Sequence, residues 1–137
     1  LIETVEFRDG AGQPSDKFEW GQPLRVRIRY RAARRIEKPV FGFALSDSAG
    51  RLIYGNNTQI EGFEISVIDG VGEIGLDFPH LNLAQGTYLF SVSVHSADHQ
   101  INYHRLDHAF VFAVQSARRF EGLSHIPCNW QMISEAP

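Results

Sequence analysis

The chain has 137 residues, 43% hydrophobic and 21% charged, which fits one globular domain with a real core. Its net charge of −3 excludes the broad basic field that nucleic-acid binding usually needs. No apolar run reaches the ~20 residues of a membrane span, and the single Cys128 permits no internal disulfide, which fits a reducing compartment. A chain opening at Leu1 is expected to be a piece of a longer protein.

In chain order, Ile2 to Phe7 reads as a first strand. Leu24, Val26, Ile28 and Tyr30 then alternate without a break with Arg25, Arg27, Arg29 and Arg31, which predicts a strand with one buried face. Phe41, Phe43 and Leu45 form the next such set. A turn over Asp47–Gly50 leads into a strand carrying Tyr54 and Asn56. The stretch from Glu61 to Val67 fits either a strand or a short helical turn. Ile74, Leu76 and Phe78 alternate with Glu73, Gly75 and Asp77. Tyr88, Phe90, Val92 and Val94 alternate with Ser91, Ser93 and His95, and Leu106, His108, Phe110, Phe112 and Val114 form the last set.

The breaks between runs are turn chemistry, such as Asp9-Gly10, Gly21-Gln22-Pro23, Asp69-Gly70 and Ala84-Gln85-Gly86. Short strands at this spacing, without a sustained helical period, predict an all-β fold. The form expected is an antiparallel immunoglobulin-like or jelly-roll β-sandwich of about seven to nine strands. One domain is expected to span residues 1–137. Its segment 115–137 keeps Ile126, Trp130, Met132 and Ile133, apolar surface that should dock on its own sandwich or on a partner's.

The chain has no GxxxxGK[ST] phosphate loop, no GxGxxG after a strand, no HExxH and no GxSxG. No catalytic residue, cofactor or metal is therefore expected. The His95–His108 stretch offers His95, Asp98, His99, His104, Asp107 and His108 as conceivable ligands. Alternation sends His104 and His108 inward with Leu106 and Phe110, sends Asp107 outward, and leaves His99 in a turn. Ligands must converge, and these diverge. The arginine ladder Arg25, Arg27, Arg29, Arg31, continued by Arg34 and Arg35, could read anionic groups. Glu73 and Asp77 stand outward on another strand and, lying opposite, would turn the ladder into an ordinary solvated face.

With the strands near 41–46, 52–57, 88–95 and 105–114 in one sheet, the outward positions can be collected. They are Gly42, Ala44 and Ser46; Tyr54 and Asn56; Ser91, Ser93 and His95; and Tyr103, Arg105 and Asp107. The centre of that face is small and hydroxylated, and its border carries rings, amides and charges. Such a trough suits a sugar: rings pack on pyranose C–H faces while amides, hydroxyls and charges bond its hydroxyls. The candidate carbohydrate-binding residues are Tyr54, Asn56, Ser91, Ser93, His95, Tyr103 and Arg105. A face covered by the C-terminal segment or by another subunit would favour the same small residues.

The segments "PVFGFALSDSAGRLIYGNNT", "GVGEIGLDFPHLNLAQGTYLFSVSV" and "DHAFVFAV" carry a family resemblance. The order and spacing of Phe41-Gly42-Phe43, Asp47, Gly50, Gly55, Asn56-Asn57-Thr58, Gly72, Phe78-Pro79, Gly86-Thr87-Tyr88, Asp107, Ala109 and Phe112 are its basis. Over roughly residues 3 to 130 the chain resembles the carboxyl-terminal domain of the Wzt-type nucleotide-binding subunit of O-antigen ABC transporters. The resemblance implies a non-catalytic domain that binds the non-reducing terminus of a lipid-linked O-antigen polysaccharide for export. It also implies an ATPase domain outside this chain, a transmembrane permease as partner, and a place at the cytoplasmic face of the inner membrane. A homodimer exchanging a terminal strand is implied too. Two other readings compete: a structural dimerisation module bracing the ATPase, and a metal-dependent enzyme built on the histidines.

Overall fold

A computed structural model describes residues 1–116 and 118–134. Ala117 and residues 135–137 of the C-terminal segment lie outside the described residues. The strands are Ile2–Arg8 (β1), Lys17–Glu19 (β2), Leu24–Glu37 (β3), Val40–Asp47 (β4), Leu52–Asn57 (β5), Val67–Phe78 (β6), Gly86–His95 (β7) and Asn102–Gln115 (β8). They form a three-stranded sheet, β1-β3-β6, packed on a five-stranded sheet, β2-β8-β7-β4-β5. The fold is an all-β sandwich, as the alternating runs predict. Glu61 to Ser66 forms no element of its own: a turn around residues 58–62 leads through extended chain into β6.

The two sheets meet through aromatic side chains delivered by the period-two pattern. Phe90, fully buried, stacks on Phe43 at 5.7 Å and meets Phe7 edge-to-face at 5.6 Å. Phe112 bridges Phe7 and Phe18, and Phe78 of β6 closes on Phe43 at 5.4 Å. Rings in edge-to-face geometry gain about 1 kcal/mol a pair beyond area burial. The core therefore locks the register of both sheets. β2, only three residues long, pairs parallel to the end of β8 and buries Phe18 beneath it.

The arginine ladder meets the acidic partners expected of it. Arg25 lies opposite Asp77 and Arg29 opposite Glu73 across the β3–β6 ladder, and Arg27 pairs with Asp77 at 2.7 Å. Arg31 pairs with Glu3, and Arg8 with Glu6. This face is a mixed-charge surface.

Three irregularities in the larger sheet alter the expected alternation. Leu45 pairs with Tyr54 but Ser46 with Leu52, so Ile53 is an extra residue in β5. Val94 pairs with His104 but His95 with Asn102, which makes Tyr103 an extra residue in β8. Between Phe90↔Phe110 and Val92↔Leu106, β8 carries two more residues than β7. His108, in this last bulge, adopts a left-handed φ of 52° and is exposed rather than half-buried as its parity suggests. His104 does face inward, and its Nδ1 accepts the Ile2 N–H at 3.0 Å.

Candidate functional site

On the outer face of the larger sheet, β5, β4, β7 and β8 present side chains in rows fixed by register. One row runs Asn57, Gly42, Ser93, Arg105; the next runs Gly55, Ala44, Ser91. Neighbouring strands are about 4.8 Å apart, so the first row spans about 14 Å. Because the centre of the floor, Gly42, Ala44, Gly55, Ser91 and Ser93, carries nothing larger than serine, the sheet is hollowed into a groove of about 520 Å³. A Cβ on Gly42 would lie 3.0 Å from Ser93 Oγ and 3.5 Å from Asn57 Cβ, so even alanine would crowd the floor.

The walls are mixed. Leu52 and Ile60 rise at the β5 border, and Ile101, Asn102, Arg105 and Asp107 at the β8 border. One end is closed by two loops tied together. His99 Nε2 donates to Gln59 Oε1 at 2.8 Å, and Gln59 Nε2 donates to the Ala97 carbonyl at 3.0 Å. His99 leans on His95 with ring centroids 4.5 Å apart, and His95 Nδ1 donates to the Ser96 carbonyl. His99 holds a left-handed φ of 63° in this loop. The adjoining Asp98 carboxyl sits below the usual range because it accepts from the Ser96 hydroxyl and the Gln100 N–H.

Hydrogen-bonding capacity is left over in the floor. Ser91 is 8% exposed and its Oγ accepts the His108 N–H at 2.8 Å. Among the described residues its hydroxyl proton meets no acceptor, and Ser93 and the Asn102 amide have no side-chain partner. Asn57 Oδ1 accepts from Ile60 N–H, which leaves its Nδ2 protons free. Ser91 is thus satisfied as an acceptor and keeps its proton to offer a ligand. Arg105 Nε donates to Asp107 Oδ1 at 2.8 Å, so the charges of this wall are paired.

Of the seven candidate residues, Ser91, Ser93, His95 and Arg105 line this groove together. Tyr54 does not. The unbroken register from Gly42↔Asn57 to Leu45↔Tyr54 puts Tyr54 opposite inward-facing Leu45, where its ring packs 5.7 Å from Phe43. The extra residue Ile53 lies beyond it and sets Leu52 opposite Ser46. Asn56 follows Tyr54, donating its amide to the tyrosine hydroxyl and to Glu61, and borders the groove with its backbone carbonyl. Tyr103, the extra residue of β8, packs against the core. Leu52, Gly55, Asn57, Ile60, Ile101 and Asn102 line the groove without having been singled out. Phasing β5 on Gly55 beside Gly42 and Ala44, rather than on Tyr54, would have found Gly55 and Asn57; Leu52 joins them only because Ile53 is an extra residue.

A second cleft of about 420 Å³ opens where β5 and β6 leave the sandwich edge unbridged, lined by Phe41, Phe43, Tyr54, Phe63, Leu76 and Phe78. The described residues of the C-terminal segment line neither cleft. It bridges Leu83 through Ser124, sets His125 edge-on to Trp20 at 5.2 Å and lays Arg118 over the Trp20 ring at 4.6 Å. Beyond it Ile126, Trp130, Met132 and Ile133 are at least three-quarters exposed. Among the described residues no group of three His, Cys, Asp or Glu side chains converges to hold a metal, and no helix is long and apolar enough to cross a membrane.

Fold and groove together define a β-sandwich whose larger sheet offers an open, polar-floored recess instead of a filled face. Residues 1–126 match the family model described as the Wzt C-terminal domain, and the chain belongs to that family. It is thus related to an accessory domain of an ABC-transporter subunit. Among solved structures, the crystal structure of the C-terminal domain of Wzt superposes with a TM-score of 0.86 at 18% identity, covering 96% of this chain and 83% of that one. That likeness bears on the fold. The CARDB domain of a Pyrococcus furiosus protein, solved with di-metal ions, reaches a TM-score of only 0.42 at 11% identity, over 82% of this chain and 90% of that one, and carries no argument. No curated protein matches the chain.

Proposed function

We propose that this domain binds the non-reducing end of a lipid-linked O-antigen polysaccharide and so couples a finished glycan to export by an ABC transporter. Family membership supports the transporter setting, with an ATPase domain and a permease as partners at the cytoplasmic face of the membrane. The observation that carries the glycan reading is the groove floor. Ser91, Ser93, Asn57 and Asn102 hold donors unused by the protein, in a recess large enough for sugar rings. Arg105, Asp107 and His95 complete the contacts. Binding needs only hydrogen bonds and packing, so the domain itself turns nothing over.

Titration of the ¹⁵N-labelled chain with O-polysaccharide released from the source strain tests this. Amide shifts at Ser91, Ser93 and Arg105 are the expected result; an unchanged spectrum there removes the groove as the site.

The exposed Ile126, Trp130, Met132 and Ile133 favour a second role beside the first, a homodimer in which this segment is exchanged. Truncation after Ser124 should convert a dimer to a monomer in sedimentation. A monomer before truncation would dismiss the exchange.

A further inference from the structure

We infer that the groove selects a neutral sugar carrying a methyl group where a hexose carries hydroxymethyl, that is, a 6-deoxyhexose; this rests on the glycan reading above. The first ground is the rim. Leu52, Ile60 and Ile101 are 68%, 72% and 53% exposed, and all three border the same recess. Single exposed aliphatic residues are ordinary, but three around one polar floor form an apolar collar. The second ground is what the rim lacks. Neither tryptophan nor tyrosine lines the recess among the described residues. The rings that do are Phe43, stacked inward on Phe90, and the His95–His99 pair at the closed end. The broad platform that usually stacks on an unmodified hexose thus gives way to smaller imidazoles. Branched aliphatic side chains instead offer convex contacts suited to a methyl group.

Charge supplies the third ground. Arg105, the one arginine or lysine among the lining residues, is already bonded to Asp107, and Asp107 would itself repel an acidic cap. A neutral ring meets no such conflict. A hydroxymethyl group pressed on the collar would lose a water hydrogen bond without a protein partner in exchange, whereas a methyl group gains apolar contact. The two effects act in the same direction, and a preference of about fivefold to tenfold is expected.

Matched glycosides test it by NMR titration of the 137-residue chain. The pairs are methyl α-L-rhamnoside against methyl α-L-mannoside, and methyl α-L-fucoside against methyl α-L-galactoside, with methyl β-D-glucuronide as the anionic arm. The deoxy member of at least one pair should bind about fivefold or more tighter, shifting Leu52, Ile60 and Ile101. Ile101→Ser should pull that ratio toward unity, weakening the deoxy member more than the parent hexose. Equal affinities within both pairs, or preference for the glucuronide, overturn the inference and leave the glycan reading standing. Groove amides unmoved by every glycoside overturn both.

Discussion

The outer faces of the two sheets have the same backbone geometry and opposite surfaces. On the smaller sheet the gap at Gly75 is filled: the Arg27 guanidinium occupies the place of the missing side chain, 2.9 Å from where a Cβ would stand. Its charges meet across strands in pairs. On the larger sheet, Gly42, Ala44 and Gly55 lie side by side, and only Leu52 at the border reaches in, its Cδ1 3.8 Å from where a Gly55 Cβ would stand. A sheet face is thus levelled or hollowed by what stands next to its small residues, not by their number.

The strongest way to break the contrast is to remove what both faces share. Phe90→Ala empties the ring cluster joining the sheets and should cost about 3–5 kcal/mol in chemical denaturation. Groove and ladder would fail together. Ser93→Arg sharpens the contrast, because it fills one face and leaves the core alone. It should weaken O-polysaccharide binding by about thirtyfold or more with stability within about 1 kcal/mol of the parent. Loss of the dimer in sedimentation would instead show that the small-residue face is an interface. Arg27→Ala on the other face should cost under ~1 kcal/mol, its ion pair being partly exposed, and leave binding unchanged.

The smallest effect is electrostatic. Burial holds the His104 imidazole below its ordinary value of 6.5, and the neutral ring accepts the Ile2 N–H. The unfolded chain therefore takes up the proton first, so stability is full above about pH 6.5 and declines as pH falls below it. His104→Asn should flatten that decline. Asp47 is held below the usual carboxylate range chiefly by the Arg51 N–H, so its contribution is lost only in stronger acid. Thermal midpoints between pH 7 and 5 separate the two.

The long strands were legible because one face of each is buried, and burial writes a period of two into residues such as Leu24 to Arg31. β2 was not, since Phe18 alone enters the core and its pairing partner lies some hundred residues away. The site was half legible. Gly42, Ala44, Ser91 and Ser93 obey strict alternation, whereas Tyr54 stands beside the extra residue Ile53, itself packed on the core, and Tyr103 is an extra residue beside inward-facing His104. Alternation carries no trace of a one-residue slip when both candidates tolerate the core. The loop residue Ile60 stands at the recess beside the Gln59–His99 tie, a contact between distant turns on which strand alternation is silent.

The bulges of β8 have an evolutionary consequence. Because extra residues separate 102–105 from 110–114, the ligand-side portion of the strand is out of step with the portion that anchors the core. Substitutions or a changed spacing near Asn102 and Arg105 are absorbed at that joint instead of being transmitted to Phe110 and Phe112. One scaffold can thereby be refitted to new cargo while its foundations stay untouched.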